Sequence, residues 1–275
     1  MATATHAPEI AGSRRAHLPD GALPWLSVAV VLALFEVLPR VGALPNDHFP
    51  TTGAIVSSLV EQIGERKLWI AGWDTLQGWA GGLAIAASAA IPLGIALGSI
   101  RLLYRAGRVL IEFLRPVPSV ALIPLAILVY GTGLESKVFL VAFASFWQLI
   151  VQTLYGAQDV DPVATDTARS FGLSRWQRLV YVTLPSSVPY IATGLRIASA
   201  VALSLAVTAE LVIGSAGLGR EINIAHAGGN VEGMYALTIA TGLLGWGLNS
   251  FFVRIERRVL RWHPTHRPDE QADWS

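Results

Sequence analysis

Long apolar runs are the feature that most constrains this chain, because several approach the ~20 residues needed to cross a bilayer core of ~30 Å. Only 14% of the residues are charged, whereas a soluble domain carries about 25%. Buried helices of soluble proteins rarely recur at this length. The sequence therefore predicts an all-α membrane protein with about six transmembrane helices. We place these spans at residues 23–38, 75–100, 117–130, 138–154, 189–213 and 234–253.

The distribution of Lys and Arg predicts how the spans are oriented. If the N-terminus is cytoplasmic, fourteen arginines fall in cytoplasmic segments and only five Lys or Arg residues in outer loops. The outer five are Arg40, Arg66, Lys67, Lys137 and Arg220. Because cytoplasmic loops are enriched in Lys and Arg, we expect both termini in the cytoplasm. The predicted domains are a cytoplasmic arm over 1–22, a membrane domain over 23–262 and a cytoplasmic tail over 263–275.

The second predicted span carries a small residue at every fourth position. Small side chains let helix backbones approach closely in lipid, so these positions predict a helix-packing surface. A four-residue step drifts by roughly 40° around a helix, and we therefore expect this helix to contact different neighbours at its two ends. The positions are Gly78, Gly82, Ala86, Ala90, Gly94 and Gly98.

The residues that several kinds of chemistry require are absent from this sequence. There is no cysteine, which excludes disulfides and thiolate chemistry, and the six histidines show no metal-ligand spacing. The net charge of +1 gives no basic signal for nucleic acid. No Gly-x-x-x-x-Gly-Lys-Ser/Thr phosphate loop is present, so this chain cannot cradle ATP by that means. If the protein moves solutes, the energy must come from a partner or from an ion gradient.

The predicted cytoplasmic loop 155–188 is the most informative segment. Asp161 and Pro162 read as the cap and first residue of a short helix over 163–171, which Gly172 ends. Ser174 caps a second short helix over 175–181, and Leu184-Pro185 is expected to end it. Two rigid helices between two spans are typical of a docking element that transmits a push from a soluble partner.

Here the chain resembles the permeases of ATP-binding-cassette importers. Their cytoplasmic motif is Glu-Ala-Ala, three residues, Gly, nine residues and Ile-x-Leu-Pro. This chain has the same spacing in Asp166-Thr167-Ala168, Gly172 and Val182-Thr183-Leu184-Pro185. Three motif residues differ, since Asp, Thr and Val stand for Glu, Ala and Ile. Shorter motifs resemble those of the permeases in the nitrate, sulfonate and taurine branch. They include Gly194-Leu195-Arg196, Ala209-Glu210 and Gly217-Leu218-Gly219.

The resemblance implies a type I importer architecture with a cytoplasmic coupling-helix loop in the bacterial inner membrane. It implies a homodimer of this chain, two separate ATPase subunits that bind ATP and Mg²⁺, and an extracytoplasmic solute-binding protein. This chain would itself carry no cofactor and would not be an enzyme. The residues implied to couple it to the ATPase are Asp166, Thr167, Ala168, Arg169, Gly172, Leu184 and Pro185.

Polar residues and prolines inside the spans are candidates for a passage, since ionisable groups at bilayer depth are costly. Glu210 is expected to form a gate or pathway contact, or else a structural hydrogen bond to a neighbouring backbone. Arg196 is expected to reach water at the inner end of its span or to contact solute. Gln148 is a polar residue of the fourth span, and Pro124 is expected to face other helices or the water path.

Two other functions compete with the importer permease. An ion-driven secondary transporter would often show internal repeats and broken helix pairs, and no repeat is evident. A membrane enzyme would need more than the isolated Ser215 and His226. The importer permease is favoured, and small anions such as nitrate, taurine and other sulfonates are the expected solutes.

Overall fold

The computed structural model describes residues 23–45 and 47–260. Every regular element in these ranges is helical, which confirms the predicted all-α class. The predicted arm over 1–22 and tail over 263–275 lie outside the described residues. The α-helices are α1 (Leu23–Arg40), α2 (Thr52–Gly64), α3 (Arg66–Ser99), α4 (Arg101–Leu114), α5 (Ile123–Tyr130), α6 (Leu134–Gln158), α7 (Pro162–Ser170), α8 (Arg175–Arg178), α9 (Leu184–Ile213), α10 (Leu218–Ala227) and α11 (Val231–Val259).

The chain divides into two compact units, one up to Ala54 and one from Ile55 onward. In the first unit, Glu36 of α1 accepts a hydrogen bond from the Gly53 amide at 3.0 Å and pairs with Arg40. Apolar side chains are exposed from Leu26 to Val37 of α1, as expected of a helix in lipid. The side chains of its first three residues lie outside the described part, so the first span stays a prediction.

Four helical segments of the second unit are long and apolar enough to cross a membrane: Arg66–Ser99, Leu134–Gln158, Arg175–Ile213 and Val231–Val259. A fifth crossing is formed if α4 and the segment Ser119–Tyr130, which meet at an angle of 81°, count as one broken span. The predicted third span is thus only the second half of a bent pair. Pro116 and Pro118 lie in the break and remove two backbone donors there.

The small residues of α3 pack against α6 along their whole length. A Cβ built on Gly78 would meet Lys137, one on Gly82 would meet Val141, and one on Gly98 would meet Ala157 at 2.5 Å. The helix α3 also contacts different neighbours at its two ends, as expected, since Thr75 contacts Glu210 of α9 and Leu97 contacts Gly107 of α4. The small residues themselves face α6 throughout, which lets the two backbones approach closely.

The contacts also fix the directions of the four long helices. Contact positions rise together along α3 and α6, so these helices are parallel. Positions on α9 fall as those on α6 rise, since Gly156 meets Tyr190 and Lys137 meets Glu210. The helix α9 is therefore antiparallel to α6. We call the end of the bundle that holds Lys137 and Glu210 the cluster end, and the end that holds residues 159–183 the loop end.

This arrangement requires the segment between α3 and α6 to return across the bundle. The helix α3 ends at the loop end, whereas α6 starts at the cluster end. Residues 100–133 therefore travel from one end to the other, as the predicted third span does. Within the bundle, the main apolar core lies between α3, α6 and α9 and is centred on Leu83, Trp147 and Ile150.

Candidate functional site

The helix α7 begins with a well-formed N-cap. The Asp161 carboxylate accepts a hydrogen bond from the Val163 amide at 2.8 Å. Pro162 occupies the first turn, where its missing donor costs nothing because that amide would have no helical partner. The predicted start of this helix is confirmed.

Gly172 ends α7 in a Schellman motif. Its φ angle is +75°, its amide donates to the Arg169 carbonyl at 2.9 Å, and the Leu173 amide donates to the Ala168 carbonyl at 3.1 Å. These bonds satisfy carbonyls that the helix leaves unpaired. A Cβ built on Gly172 would meet no atom within 4 Å. The glycine is therefore required by its left-handed backbone and not by lack of space.

The other motif residues of α7 present a mainly polar, accessible surface. Asp166 and Thr167 are exposed, and Ala168 is buried. Arg169 pairs with Asp166 at 3.1 Å, with both side chains largely in solvent. An exposed pair of this kind contributes little to stability. These residues are thus available to a partner, and the fold itself does not depend on their charges.

The second half of the loop is continuous with the membrane helix. Ser174 and Gln177 form a capping box at the start of α8, with hydrogen bonds of 3.2 and 2.8 Å. A π-helical turn over Leu179–Thr183 then leads directly into α9. The expectation that Leu184-Pro185 ends the helix is wrong. The wider turn bonds the Leu184 amide to the Leu179 carbonyl, five residues back, and so accommodates the proline that follows.

The loop end therefore consists of one short helix and one long rod. Residues Arg175–Ile213 form a single helical segment of 39 residues that reaches from the loop to the cluster end. The short helix α7 is joined to this rod through Gly172 and Leu173. A displacement of the loop would move the near end of α9 directly.

Large apolar side chains are exposed where α7 meets the long helical segment, over residues 163–181, a region that we call the elbow. Phe171 is 81% exposed and Trp176 is 71% exposed. Val163 and Tyr181 are exposed to a similar degree. Aromatic residues that stand out from a charged surface are typical of binding hot spots. These four residues were not predicted from the sequence, because no motif marks an exposed apolar residue on a polar loop.

A buried ion pair lies at the cluster end. The Lys137 Nζ donates to Glu210 Oε1 at 2.8 Å, and the two side chains are 2% and 0% exposed. The same ammonium group donates to the carbonyl oxygens of Asp74 and Ala216, each at 2.8 Å. All three donors of the lysine are therefore used, which is the condition for a buried charge to be tolerated.

The second carboxylate oxygen of Glu210 is also fully engaged. It accepts hydrogen bonds from the Thr75 hydroxyl at 3.0 Å and from the Gly219 amide at 2.9 Å. Thr75 in turn accepts a hydrogen bond from the Leu218 amide at 2.9 Å. We call Thr75, Lys137 and Glu210, with the backbone groups they bind, the buried polar cluster. It ties together α3, α6, α9 and the turn that starts α10.

The glycines of the turn before α10 make room for this cluster. A Cβ built on Gly217 would overlap the Glu210 carboxylate, and Gly217 has a φ of 149°. A Cβ on Gly219 would overlap the Val207 carbonyl. The backbone of the Gly217-Leu218-Gly219 segment thus packs directly over the buried Glu210 carboxylate.

This geometry corrects one expectation and bears on another. Lys137 was counted in an outer loop, but it lies in the first turn of α6 and is buried. Its partner is 73 positions away in the sequence, so no local pattern could reveal it. Glu210 is fully buried, and the structural hydrogen bond to a neighbouring backbone that was one of its two expected roles is present at the Gly219 amide.

The remaining candidate residues are dispersed. Arg196 pairs with Glu256 of α11 at 3.3 Å and is partly exposed. Gln148 is half-buried on α6, and Pro124 is exposed in the first turn of α5. A cavity of about 510 Å³ opens at the loop end, and it is lined by Gln152, Asp159, Asp161, Ser186, Pro189, Tyr190 and Thr193. The structure therefore does not bring the four predicted pathway residues together.

The comparison with protein families decides what kind of protein this is. Residues 90–261 match the family described as the binding-protein-dependent transport system inner membrane component. The chain belongs to this family. The match runs from the last part of α3 to the end of α11 and includes the whole coupling loop. It favours the importer permease over the ion-driven carrier and the membrane enzyme.

Individual proteins agree with the family. The chain is 33% identical to the nitrate import permease NrtB of Leptolyngbya laminosa, over 72% of this chain and 68% of that one. It is 36% identical to the taurine transport system permease protein TauC of Escherichia coli K12, over 63% of each chain. The similarity to the nitrate, sulfonate and taurine branch of ABC permeases is confirmed.

The fold is similar to a solved transporter. The inward-facing MetNI methionine ABC transporter matches with a TM-score of 0.62 over 70% of this chain and 96% of that chain, at 19% identity. At this identity the match concerns the fold alone, and it confirms the type I importer permease architecture.

Proposed function

We propose that this permease moves a small anion, of the nitrate, taurine or sulfonate class, across the bacterial inner membrane. Two copies would form the passage. A separate ATPase would supply energy by hydrolysing Mg²⁺-bound ATP, and an extracytoplasmic binding protein would deliver the solute. The names of two relatives support this solute class, since one imports nitrate and the other transports taurine.

The observation that carries the proposal is the connection between the loop and α9. A rigid α7, held by its Asp161 cap and its Gly172 turn, adjoins a helical rod that reaches the opposite end of the bundle. A force applied to α7 would therefore tilt or shift α9 and would not be lost in a flexible linker. This is the mechanical property that an ATP-driven passage requires of its transmembrane subunit.

We assign the ATPase contact to the exposed polar and apolar side chains of the elbow. Asp166, Thr167 and Arg169 would supply polar contacts, and Phe171 and Trp176 would fill apolar pockets of the ATPase. Ala168 and Gly172 would hold the shape of α7. Leu184 and Pro185 would act at the π-helical turn, where the loop becomes the membrane helix.

The proposed orientation places the loop end in the cytoplasm and the cluster end outside. Arginines of α4, α7, α8 and α11 gather toward the loop end, in agreement with the enrichment of positive charge on the cytoplasmic side. With Lys137 buried, fewer positive charges remain for the outer loops than the sequence alone indicated. Both termini would then be cytoplasmic.

The buried polar cluster has a structural role in this proposal. Glu210 would brace the outer ends of α3, α6 and α9, and the same brace would keep the passage closed while the three helices stay together. Arg196, Gln148 and Pro124 are proposed to line or border the passage, where α9, α6 and α5 face a second copy of the chain.

The contact between the loop and the ATPase can be tested by cross-linking. The chain has no cysteine, so Thr167→Cys introduces a single reactive site on α7. Paired with single cysteines on the ATPase, it should form a disulfide in membranes, and the yield should change with ATP. A cysteine in place of exposed Trp73, at the other end of the bundle, is the control and should give no such product. Equal yields at the two positions would contradict the proposal.

Function is tested in proteoliposomes that contain the permease, its ATPase and its binding protein. Solute retained by the binding protein should stimulate ATP hydrolysis and enter the vesicles. Hydrolysis without the permease that responds equally to solute, or uptake that persists without ATP, would overturn the proposed function.

A further inference from the structure

The helix α4 has a charge pattern that the transport function does not explain. At about 100° per residue, its charged side chains fall in one stripe roughly 60° wide. The stripe holds Arg101, Arg105, Arg108 and Glu112, and the rest of the helix is apolar or aromatic. A narrow arginine stripe on an otherwise apolar helix is typical of helices that lie at a membrane surface.

One side of the apolar surface packs against the protein. A Cβ built on Gly107 would lie 2.8 Å from the Leu97 side chain at the end of α3. Tyr104, Ile111 and Leu114 pack against the main core. This side fixes α4 to the loop end of the bundle.

The other side of the apolar surface has no cover within the described chain. Leu102 is 77% exposed, Val109 is 70% exposed and Phe113 is 73% exposed. Leu110, between them, is also exposed. These four side chains form a continuous apolar strip along the helix, on the side away from the core.

The arginines beside this strip differ in their pairing. Arg108 forms an ion pair with Glu112 at 2.6 Å. Arg101 and Arg105 are exposed, and neither has an acidic partner among the residues that the structure describes. Two free guanidinium groups next to an exposed apolar strip call for a partner that is apolar and negatively charged at the same time.

We propose that α4 is an interfacial helix that binds anionic lipid at the loop end of the bundle. Leu102, Val109, Leu110 and Phe113 would enter the acyl region, while Arg101 and Arg105 would contact phosphate groups of anionic headgroups. A second copy of this chain fits less well, because it would bring a second set of unpaired arginines and no matching acid. The assignment to the cytoplasmic leaflet rests on the proposed orientation, but the lipid contact itself does not.

The location of the apolar strip is tested with a spin label. The chain has no cysteine, so Phe113→Cys carries one nitroxide in the full-length permease reconstituted in nanodiscs. We expect dissolved oxygen to relax this label more than a water-soluble nickel chelate does. Stronger relaxation by the chelate, or spin–spin broadening between two copies, would overturn the lipid contact.

The charge preference is tested in nanodiscs that mix phosphatidylcholine and phosphatidylglycerol in both leaflets, which removes any dependence on orientation. Lipids retained by the purified protein are counted by mass spectrometry. The double variant R101Q/R105Q should lose enrichment of phosphatidylglycerol, by about fivefold for each arginine. The variant R101K/R105K should keep most of it.

Glu112 gives a control in the opposite direction. E112Q frees Arg108 from its ion pair and should raise the enrichment of phosphatidylglycerol. If enrichment is the same in R101Q/R105Q, E112Q and the native chain, the lipid proposal is wrong. The proposed transport function would survive that result, since it is measured by solute uptake and cross-linking at the loop.

Discussion

Lys137 and Glu210 form an ion pair at 2.8 Å inside the bundle, and neither side chain reaches the surface of the chain. The pair uses every donor of the lysine and both oxygens of the carboxylate. It therefore joins three membrane helices and the turn before α10 at a single point, and its removal should separate their ends.

Breaking this pair from one side should be more harmful than removing both charges. Glu210→Gln leaves Lys137 charged and buried without its counterion, and we expect a loss of about 3–5 kcal/mol of stability. Lys137→Met with Glu210→Leu removes both charges, and the double variant should regain part of that loss, because the backbone groups that both side chains bind stay unpaired. Thermal unfolding of the purified permease in detergent measures the order of the three proteins.

Transport by the double variant separates the two roles proposed for Glu210. If the pair is only a brace, uptake should recover with stability. If it also opens during the cycle, stability should recover while solute-stimulated uptake stays low. A double variant as unstable as Glu210→Gln would argue against the pairing itself.

The close approach of α3 and α6 makes a second prediction. Gly82→Ala should destabilise the chain by about 1–3 kcal/mol, because its Cβ would overlap Val141 and lie 3.0 Å from the Ala142 amide nitrogen. Gly72→Ala on the same helix is the matched control, since a Cβ there meets no atom within 4 Å. It should be neutral or stabilising by up to ~1 kcal/mol. Unfolding midpoints that fall equally for both variants would contradict this packing.

Local signals allowed most of the helical framework to be predicted. The cap at Asp161 and the stop at Gly172 depend on neighbouring residues only, and both agree with the sequence prediction. The π-helical turn before Pro185 was missed, because a proline after leucine favours a helix end unless the turn before it widens. Whether it widens depends on how α9 packs, which the local sequence does not contain.

Non-local relationships were the part that the sequence could not supply. Glu210 was a candidate because a carboxylate inside a span needs a partner. That partner, Lys137, stands near the end of an apolar span where a loop lysine is equally plausible. The drift of the α3 stripe predicted a change of neighbours along that helix, but it could not show which helices those neighbours are. In each case the missing information was which second helix lies alongside.

Gly172 gives a prediction that separates backbone strain from steric overlap. Its φ of +75° makes any residue with a Cβ costly by about 1–2 kcal/mol, although there is space for one. Gly172→Val should alter the elbow and uncouple ATP hydrolysis from uptake while the chain still inserts. Gly172→Asn should be milder, because asparagine tolerates this backbone region. The ratio of solute imported to ATP hydrolysed in proteoliposomes measures coupling, and an unchanged ratio in Gly172→Val would count against a coupling role.

Trp176 should be a hot spot for the ATPase if the elbow is its docking surface. It is the second residue of α8, and its side chain is 71% exposed. Trp176→Ala should weaken binding of the ATPase by about 2 kcal/mol, or roughly 30-fold in affinity.

Trp73→Ala is the matched control, because Trp73 is similarly exposed but lies near the other end of the bundle. Binding of purified ATPase to immobilised permease measures both. Because Trp176 is exposed, its loss should leave the unfolding midpoint unchanged, so weaker binding at an unchanged midpoint would place the contact at the elbow. Equal affinities for the two variants would move the docking surface elsewhere on the chain.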